Sequence, residues 1–458
     1  MPEKHSSERG QALVLVVLGI LVIFGFAALA IDGGMVYSDR RHAQNASDAS
    51  SLAGGSAAAL SLENDHVTYG HWDCNDGDVE AAMASAESAA IARAGDNDFS
   101  IDDGIGDFNG VIVECGIENR GAWTEKYIDV TTHISTTTPT TFAHFVYPGQ
   151  LKSRVRGVTR VHPRAALGFG HSIVALNEEP SCHAGAPNGV TFEGSIEVQV
   201  TGGGIFSNGC IQASGNDFDV EVEGGNIVHV GELETNHEEN FDPPPDDGGD
   251  ALLPDFAMAF PTPDCDAPGM EHSSDHPGTE YRNNVGGTYA DPEIIRPGNY
   301  SQIKMNGAVE LRPGLYCLYG DFAVGNNDLT GNGVTIYMVS GSVNIDGGGV
   351  VTIFAPEATP DPEPAIPGML IYLAKQDNLC DENDGLVKLR GNADSVFDGT
   401  IYAPCGRVDI AGAADVPAAE FNTQIVAMDV EIGGNAYVNV NFDQDTNYLM
   451  PTSLELHR

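Results

Sequence analysis

Apolar and polar positions alternate in short runs through the second half of the chain, and the runs repeat. VKLRGNA (387–393) places Val387 and Leu389 on one face of a short strand, with Lys388 and Arg390 on the other. Its glycine permits a backbone corner that a Cβ would hinder. The same pattern returns as VDIAGAA at Val408 and VEIGGNA at Val430, 21 and then 22 residues on. Upstream it starts at Val343 (VNIDGGG), Phe322 (FAVGNND) and Ile303 (IKMNGAV). The 44 residues between Val343 and Val387 are two periods, holding GMLIYLA (368–374) and a Pro/Glu-rich insertion, APEATPDPEPAIPG. VQVTGGG at Val198 and VEVEGGN at Val220 lie 22 apart, and a second series, VTFEGS at Val190 and IQASGN at Ile211, runs 21 apart beside them. Further short strands accompany each period: GIFSNG, TIYMV, TIFAP, LIYLA, TIYAP and QIVAM. Two or three strands per ~22 residues, with Gly, Asn or Asp at the corners, predict a mainly β fold built as a right-handed parallel β-helix. An antiparallel sandwich is the alternative, and the near-constant spacing speaks against it.

The pattern elsewhere divides the chain. ALVLVVLGILVIFGFAALAI (12–31) is uncharged and long enough to cross ~30 Å of hydrocarbon as a helix. It exceeds the ~7–15 apolar residues of a signal-peptide core, and helix-forming sequence continues past it, so a retained anchor is expected despite the Ala28-Leu29-Ala30 stretch. Residues 1–11 form the N-terminal flank, and 32–62 a small-residue stalk helix with Asp39, Arg40, Gln44, Asn45 and Asp48 available for a polar face. Residues 63–180 read as a small α/β domain, with a helix over 78–94 and strands at 128–136 and 151–167. First β-helix coils follow at 181–232, a Pro/Asp-rich loop or linker at 233–293, the main β-helix at 294–445 and a tail at 446–458.

Charge and cysteine content narrow the setting. There are 66 Asp and Glu against 21 Lys and Arg. No Lys or Arg occurs between Arg164 and Arg282, and so acidic a surface repels nucleic acid and anionic lipid headgroups, so nucleic acid is excluded as a partner. Lys152, Arg154, Arg156, Arg160 and Arg164 lie on one predicted strand and read as its exposed face, with polyanion binding as the sharper alternative. Eight cysteines without a CxxC pair read as disulfides in an oxidising compartment. Sequential pairing is expected: Cys182–Cys210 and Cys380–Cys405 stapling one coil to the next, Cys74–Cys115 closing the middle domain, and Cys265–Cys317 tying the acidic loop back. Positive flanking charges tie across the span, with Lys4 and Arg9 before it and Arg40 and Arg41 after it. The disulfides then place the N-terminus in the cytoplasm and the bulk of the chain outside.

RGQALVLVVLGILVIFGFAALAIDGG followed by VYSDRRHAQNASDASSLAGG resembles the N-terminal module of the Flp pilus-assembly TadE/TadG-like proteins. The likeness rests on Arg-Gly-Gln before the span, Asp-Gly-Gly after it, then Gln-Asn-Ala-Ser-Asp-Ala and Leu-Ala-Gly, in that order. It implies membrane anchoring and a role in tight-adherence pilus assembly or surface display. A pilin-like precursor cut after Gly10 would carry Glu at the fifth mature position. Leu15 stands there and Glu8 lies on the other side of the cut, which points to the unprocessed, TadG-like form. The PGxY turns and GTIYAP-type strands also resemble solenoids attached to such anchors.

No GxSxG, Walker loop, HExxH or full dinucleotide fingerprint occurs, so no catalytic residue and no cofactor is assigned. His66, His71 and Cys74, like Cys265, His272 and His276, have loosely metal-like spacing without a four-ligand set. DCNDGD (73–78) and DENDG (381–385) place Gly one position early for an EF-hand, leaving only adventitious calcium at acidic corners. A β-helix polysaccharide lyase would need acids and a base on neighbouring rungs. Lys388, Arg390 and Arg407 near Asp394, Asp398 and Asp409 are the candidates. The expectation is a non-catalytic, surface-exposed structural or adhesive protein, held in the lipid bilayer by residues 12–31, whose partners are other pilus-assembly proteins or surface polysaccharide. A polysaccharide-binding protein with no pilus role is the second reading, and a lyase the third.

Overall fold

The structure, a computed structural model, describes residues 9–457 except 107, 122, 143–148, 184–187, 216, 249–261, 267–269, 271–279, 358–364, 375–384, 391, 393, 412–418 and 435–436. The chain divides into two compact units, one of residues 1–117, 126–164 and 451–458, the other of residues 118–125 and 165–450.

The first unit is organised by one helix, α1 (Arg9–Asn64), 56 residues long. No proline interrupts it, and its Ala, Leu and Ser content favours helix throughout. From Leu13 to Ile31 its large apolar side chains are exposed, and this stretch is long and apolar enough to cross a membrane. Asp32 is buried, and from Ala43 burial recurs at Ala46, Ser47, Ser50, Gly54, Ala58 and Leu62. That spacing of three or four residues is one helical face. The face packs on α2 (Gly77–Asp96), whose Val79, Ala82, Ala86, Ala90 and Ala94 form the matching stripe, and on a five-stranded sheet. The sheet runs β1 (Asp102–Asp103), β2 (Gly110–Asn119), β3 (Thr124–Thr138), β4 (Leu151–His162) and then the C-terminal strand Ser453–His457. β3 and β4 pair antiparallel from Ile128↔Val161 to Thr138↔Leu151. The stalk helix and the small domain are therefore one body: residues 43–62 supply part of the domain's core. The tail is likewise no loose end, since Ser453–His457 pairs antiparallel with β4.

The second unit is built from parallel strands in a 17-stranded and a 10-stranded sheet. Within the larger sheet one row of inward side chains reads Ile303, Phe322, Val343, Val387, Val408, Val430, Val190, Ile211 and Leu233. All but Leu233 are essentially inaccessible. The repeated heptads thus occupy equivalent positions, each valine covering its neighbour on the next rung. Val198 and Val220 do not join this row; they pair with each other in the ten-stranded sheet, where Val198 also pairs with Val438 and Val220 with Phe241. Spacing alone could not separate the two series, because every strand of one circuit recurs at the circuit's period.

The row's order carries the main topological finding. Val430, on the last circuit, sits beside Val190, on the first. On the ten-stranded sheet, Tyr437–Asn441 pairs with Glu197–Thr201, where Thr201 donates to Asn441, 240 residues away, at 2.6 Å. The larger sheet thus starts with Glu280–Val285 at one end, continues to Ile425–Gly434, meets there its own earliest strands, His171–Ala175 and Val190–Gly194, and ends with strands reaching Asp247. Residues 233–247 are not a linker: Leu233–Glu234, Phe241–Asp242 and Asp246–Asp247 complete a third circuit. Gly194 and Gly434, paired at the corner beside this junction, both have positive φ.

One run of strands in the larger sheet is covered on both faces. Ile336, Ile371, Ile401, Ile425 and Ile173 point inward, whereas Tyr337, Tyr372, Tyr402, Val426 and Val174 pack outward beneath Leu167, Ala365 and Tyr448. This accounts for the unbroken apolar runs LIYLA and TIYAP, a pattern typical of two-sided burial. The outward tyrosines meet as tilted ring pairs at 5.0 and 5.3 Å between centroids, and burial raises the pKa of Tyr337 and Tyr372.

Candidate functional site

The polar residues of α1 form the most defined arrangement, and most of them face protein. The Asp32 side chain is 4 % exposed; its carboxylate accepts from Thr141 N (2.8 Å) and Phe142 N (2.9 Å) in the turn joining β3 to β4. Two N–H donors offset the desolvation of a buried carboxylate. Asp39 accepts from Thr138 Oγ1 at 2.7 Å, and Gln44 donates to Asp48 Oδ1 (2.7 Å) and to the Arg156 carbonyl (3.0 Å). Ser47 donates to the Thr132 carbonyl at 2.7 Å, and Thr159 to Ser51 Oγ at 3.1 Å. Arg40 and Asn45 remain exposed, so the expected polar face is divided between sheet and solvent.

The Leu-Ala-Gly-Gly stretch has a steric role. A Cβ on Gly54 would stand 2.8 Å from the Ala86 carbonyl oxygen and from Val130 Cγ1; one on Gly55 would stand 2.5 Å from Thr159 Cγ2. Only glycine lets α1 approach α2 and β4 this closely.

The five bases of β4 and its C-terminal edge do not form a uniform exposed row. Arg160 donates through Nε (2.9 Å) and Nη2 (2.8 Å) to Asp129 and lies over the Tyr127 ring at 3.5 Å. Arg164 stands 3.7 Å from Glu63. Arg154 lies 5.0 Å over the Phe108 ring, while Lys152 and Arg156 are exposed. His133, opposite Arg156 in the register, has a pKa lowered by burial and by that guanidinium.

Cys74 bonds Cys115, Cys182 bonds Cys210 and Cys265 bonds Cys317, with Cα separations of 5.6, 5.3 and 6.1 Å. Cys405 is disulfide-bonded, while Cys380 lies outside the described residues. The two zinc-like sets thereby lose their thiolates, and His272 and His276 lie outside the described residues. DCNDGD is a helix start, not an ion loop: Asp73 binds Asn75, and Asp76 caps α2 by accepting from Asp78 N at 2.8 Å. Residues 381–384 of DENDG lie outside the described residues. Among the described residues no group of three or more His, Cys, Asp or Glu could hold a metal.

The lyase candidates are brought together only in part: Lys388, Arg390, Arg407 and Asp409 lie on two paired strands. Lys388 pairs with Asp346 at 3.0 Å, Arg390 with the same carboxylate at 3.7 Å, and Arg407 with Glu431 at 3.3 Å. Asp409 is buried in register between Lys388 and Glu431. Burial raises the Glu431 pKa, Arg407 opposes the rise, and Asp409 and Glu193 add to it. Asp398 stands on the ten-stranded sheet, apart from the three bases, and Asp394 is exposed.

Sequence reasoning missed a cleft of about 330 Å³ on the outer face of the ten-stranded sheet. Glu310, Arg312, Thr330, Asn332, Thr352 and Phe354 line it, with Arg312 and Glu310 paired at 2.9 Å. The only signal in the sequence was the row of outward positions on successive strands, which becomes visible once register is known.

The family model for Flp pilus-assembly TadE/G-like proteins matches residues 10–59, which is the apolar half of α1 together with its buried stripe as far as Ala59. No curated protein and no solved structure matches the chain.

Proposed function

We propose that this protein is a single-pass, membrane-anchored, surface-exposed structural or adhesive component of Flp/Tad-type pilus assembly, with no catalytic role. The observation that carries the reading is the TadE/G-like match over 10–59, coinciding with a helix whose first half is exposed and apolar and whose second half is built into a folded domain. The N-terminus is cytoplasmic and the disulfide-bonded remainder extracytoplasmic, in keeping with oxidised cysteines. The parallel sheets support a right-handed parallel β-helix with ~22-residue coils, the hand following the general preference of parallel crossovers. Such a stack presents outward side chains at a regular ~4.8 Å rise, suited to repeated weak contacts.

Binding of surface polysaccharide is the second reading. It is favoured by the cleft on the ten-stranded sheet, where Phe354 offers an apolar surface among Thr, Asn, Glu and Arg groups. Deletion of the gene should abolish tight adherence and pilus display while leaving growth intact. Unchanged adherence, together with loss of polysaccharide retention, would transfer the assignment to the second reading. Protease shaving of intact cells should remove residues beyond 31 and leave the anchor; full protection would overturn the topology.

A further inference from the structure

We propose that Thr141 and Phe142, which follow β3, form a second membrane contact, seated on the bilayer surface beside the point where α1 emerges; this rests on reading residues 12–31 as the span. Asp32 is the first residue after the apolar run, and its axial position marks the boundary between lipid and water. One buried carboxylate at that level holds both Thr141 N and Phe142 N. Thr141 Oγ1 also reaches Met35 Sδ at 3.8 Å, a turn further along the same helical face. Thr141 and Phe142 are thus fixed at the height of the membrane surface.

Their chemistry suits that height. Neither Thr141 nor Phe142 carries a charge, and Phe142 is 40 % exposed beside the anchor. Aromatic side chains favour the interfacial region, where a ring can leave water without entering the hydrocarbon core.

A second feature lies directly behind them. The Asp39–Thr138 and Gln44–Arg156 hydrogen bonds put the start of β4 level with residues 39–44 of α1. Those positions are about 10–18 Å along the helix axis from Asp32. Lys152, Arg154 and Arg156 on β4, with Arg40 and Arg41 on α1, are exposed in this zone. The acids nearest them on α1, Asp39 and Asp48, are already hydrogen-bonded within the unit. In a chain with 66 acidic residues against 21 basic ones, a cluster of five exposed bases at this height is selective placement. Their long side chains reach toward a headgroup layer, and its negative potential extends about a Debye length, ~8 Å, beyond it. The occupant is therefore an anionic lipid surface, contacted by Phe142 in the interface and drawn by the bases through its negative potential.

The test uses the full chain in nanodiscs of phosphatidylcholine and phosphatidylglycerol, with Phe142→Trp as a depth probe. The added fluorescence should be blue-shifted and quenched by lipids brominated near the headgroup end of the acyl chain, above the background of Trp72 and Trp123 in the parent protein. Quenching should weaken in pure phosphatidylcholine, and likewise in the Lys152→Gln/Arg154→Gln/Arg156→Gln background. Insertion with water-like, unquenched emission from the probe would overturn the proposal alone. A chain that fails to co-purify with the nanodiscs would overturn the spanning assignment beneath it.

Discussion

The meeting of the last circuit with the first makes a quantitative prediction. Val430 and Val190 are both inaccessible and occupy paired positions on adjacent rungs. Val430→Ala removes two buried carbons at ~0.8 kcal/mol each and leaves a cavity between rungs, for a loss of about 2–3 kcal/mol. Val190→Ala should cost about the same. Because the two side chains fill one space, the double variant should deviate from additivity by about 0.5–3 kcal/mol. Val343 provides the control. It lies in the same row with Val387 and Val408 between it and Val430, ~14 Å away at the strand spacing, so its pairing with Val430→Ala should be additive. Guanidinium unfolding of the full chain in detergent micelles, followed by the β signal in circular dichroism, supplies the four free energies of each cycle. A Val430/Val190 cycle that closes at zero, alongside a coupled Val430/Val408 cycle, would refute the junction while leaving the local stacking intact.

Gly55→Val should lower the melting temperature by the equivalent of about 1–3 kcal/mol of overpacking, since even a Cβ there meets Thr159; a neutral result in a thermal melt would mean α1 does not lie on β4 at this point. Replacing Cys182 and Cys210 together by Ser opens a loop with a 28-residue separation and should cost about 3–4 kcal/mol on the chain-entropy account, read as a shift in denaturant midpoint; peptide mapping without reductant should recover the intact pair from the parent protein. His133, with its folded pKa held below the ordinary 6.5 by burial and by Arg156, binds fewer protons folded than unfolded. Its contribution to stability is therefore present above pH ~6.5 and lost as pH falls through the folded value. Melting curves from pH 8 to 5 should show a steeper loss for the parent than for His133→Phe, and parallel curves would contradict the assignment.

The features readable along the chain are those whose cause is local. An uncharged run of 20 residues requires a long apolar helix, and the structure provides one. The recurring V-x-I/L-x-G heptads dictate strand, corner and inward face, because alternation and a corner glycine act within a few residues; Val387, Val408 and Val430 accordingly share one buried row. The TadE/G-like module was likewise readable, its Asp-Gly-Gly and Leu-Ala-Gly stretches lying within the 10–59 match and its Arg-Gly-Gln at the edge of it. Tertiary structure decided which surfaces meet. A period near 22 is common to every strand of a circuit, so it could not place Val198 and Val220 on the ten-stranded sheet, nor record that Val430 abuts Val190. The serines and carboxylates of α1 carry no mark of what they face: Asp32, Asp39 and Ser47 find their donors and acceptors only on β3 and the residues that follow it. Lys388, Arg390 and Arg407 looked available for chemistry until neighbouring rungs brought Asp346 and Glu431 beside them. Backbone periodicity is set by steric and turn preferences within a few residues. The choice of neighbour is set by contacts between residues distant in the chain, and it exists only once the chain has closed on itself.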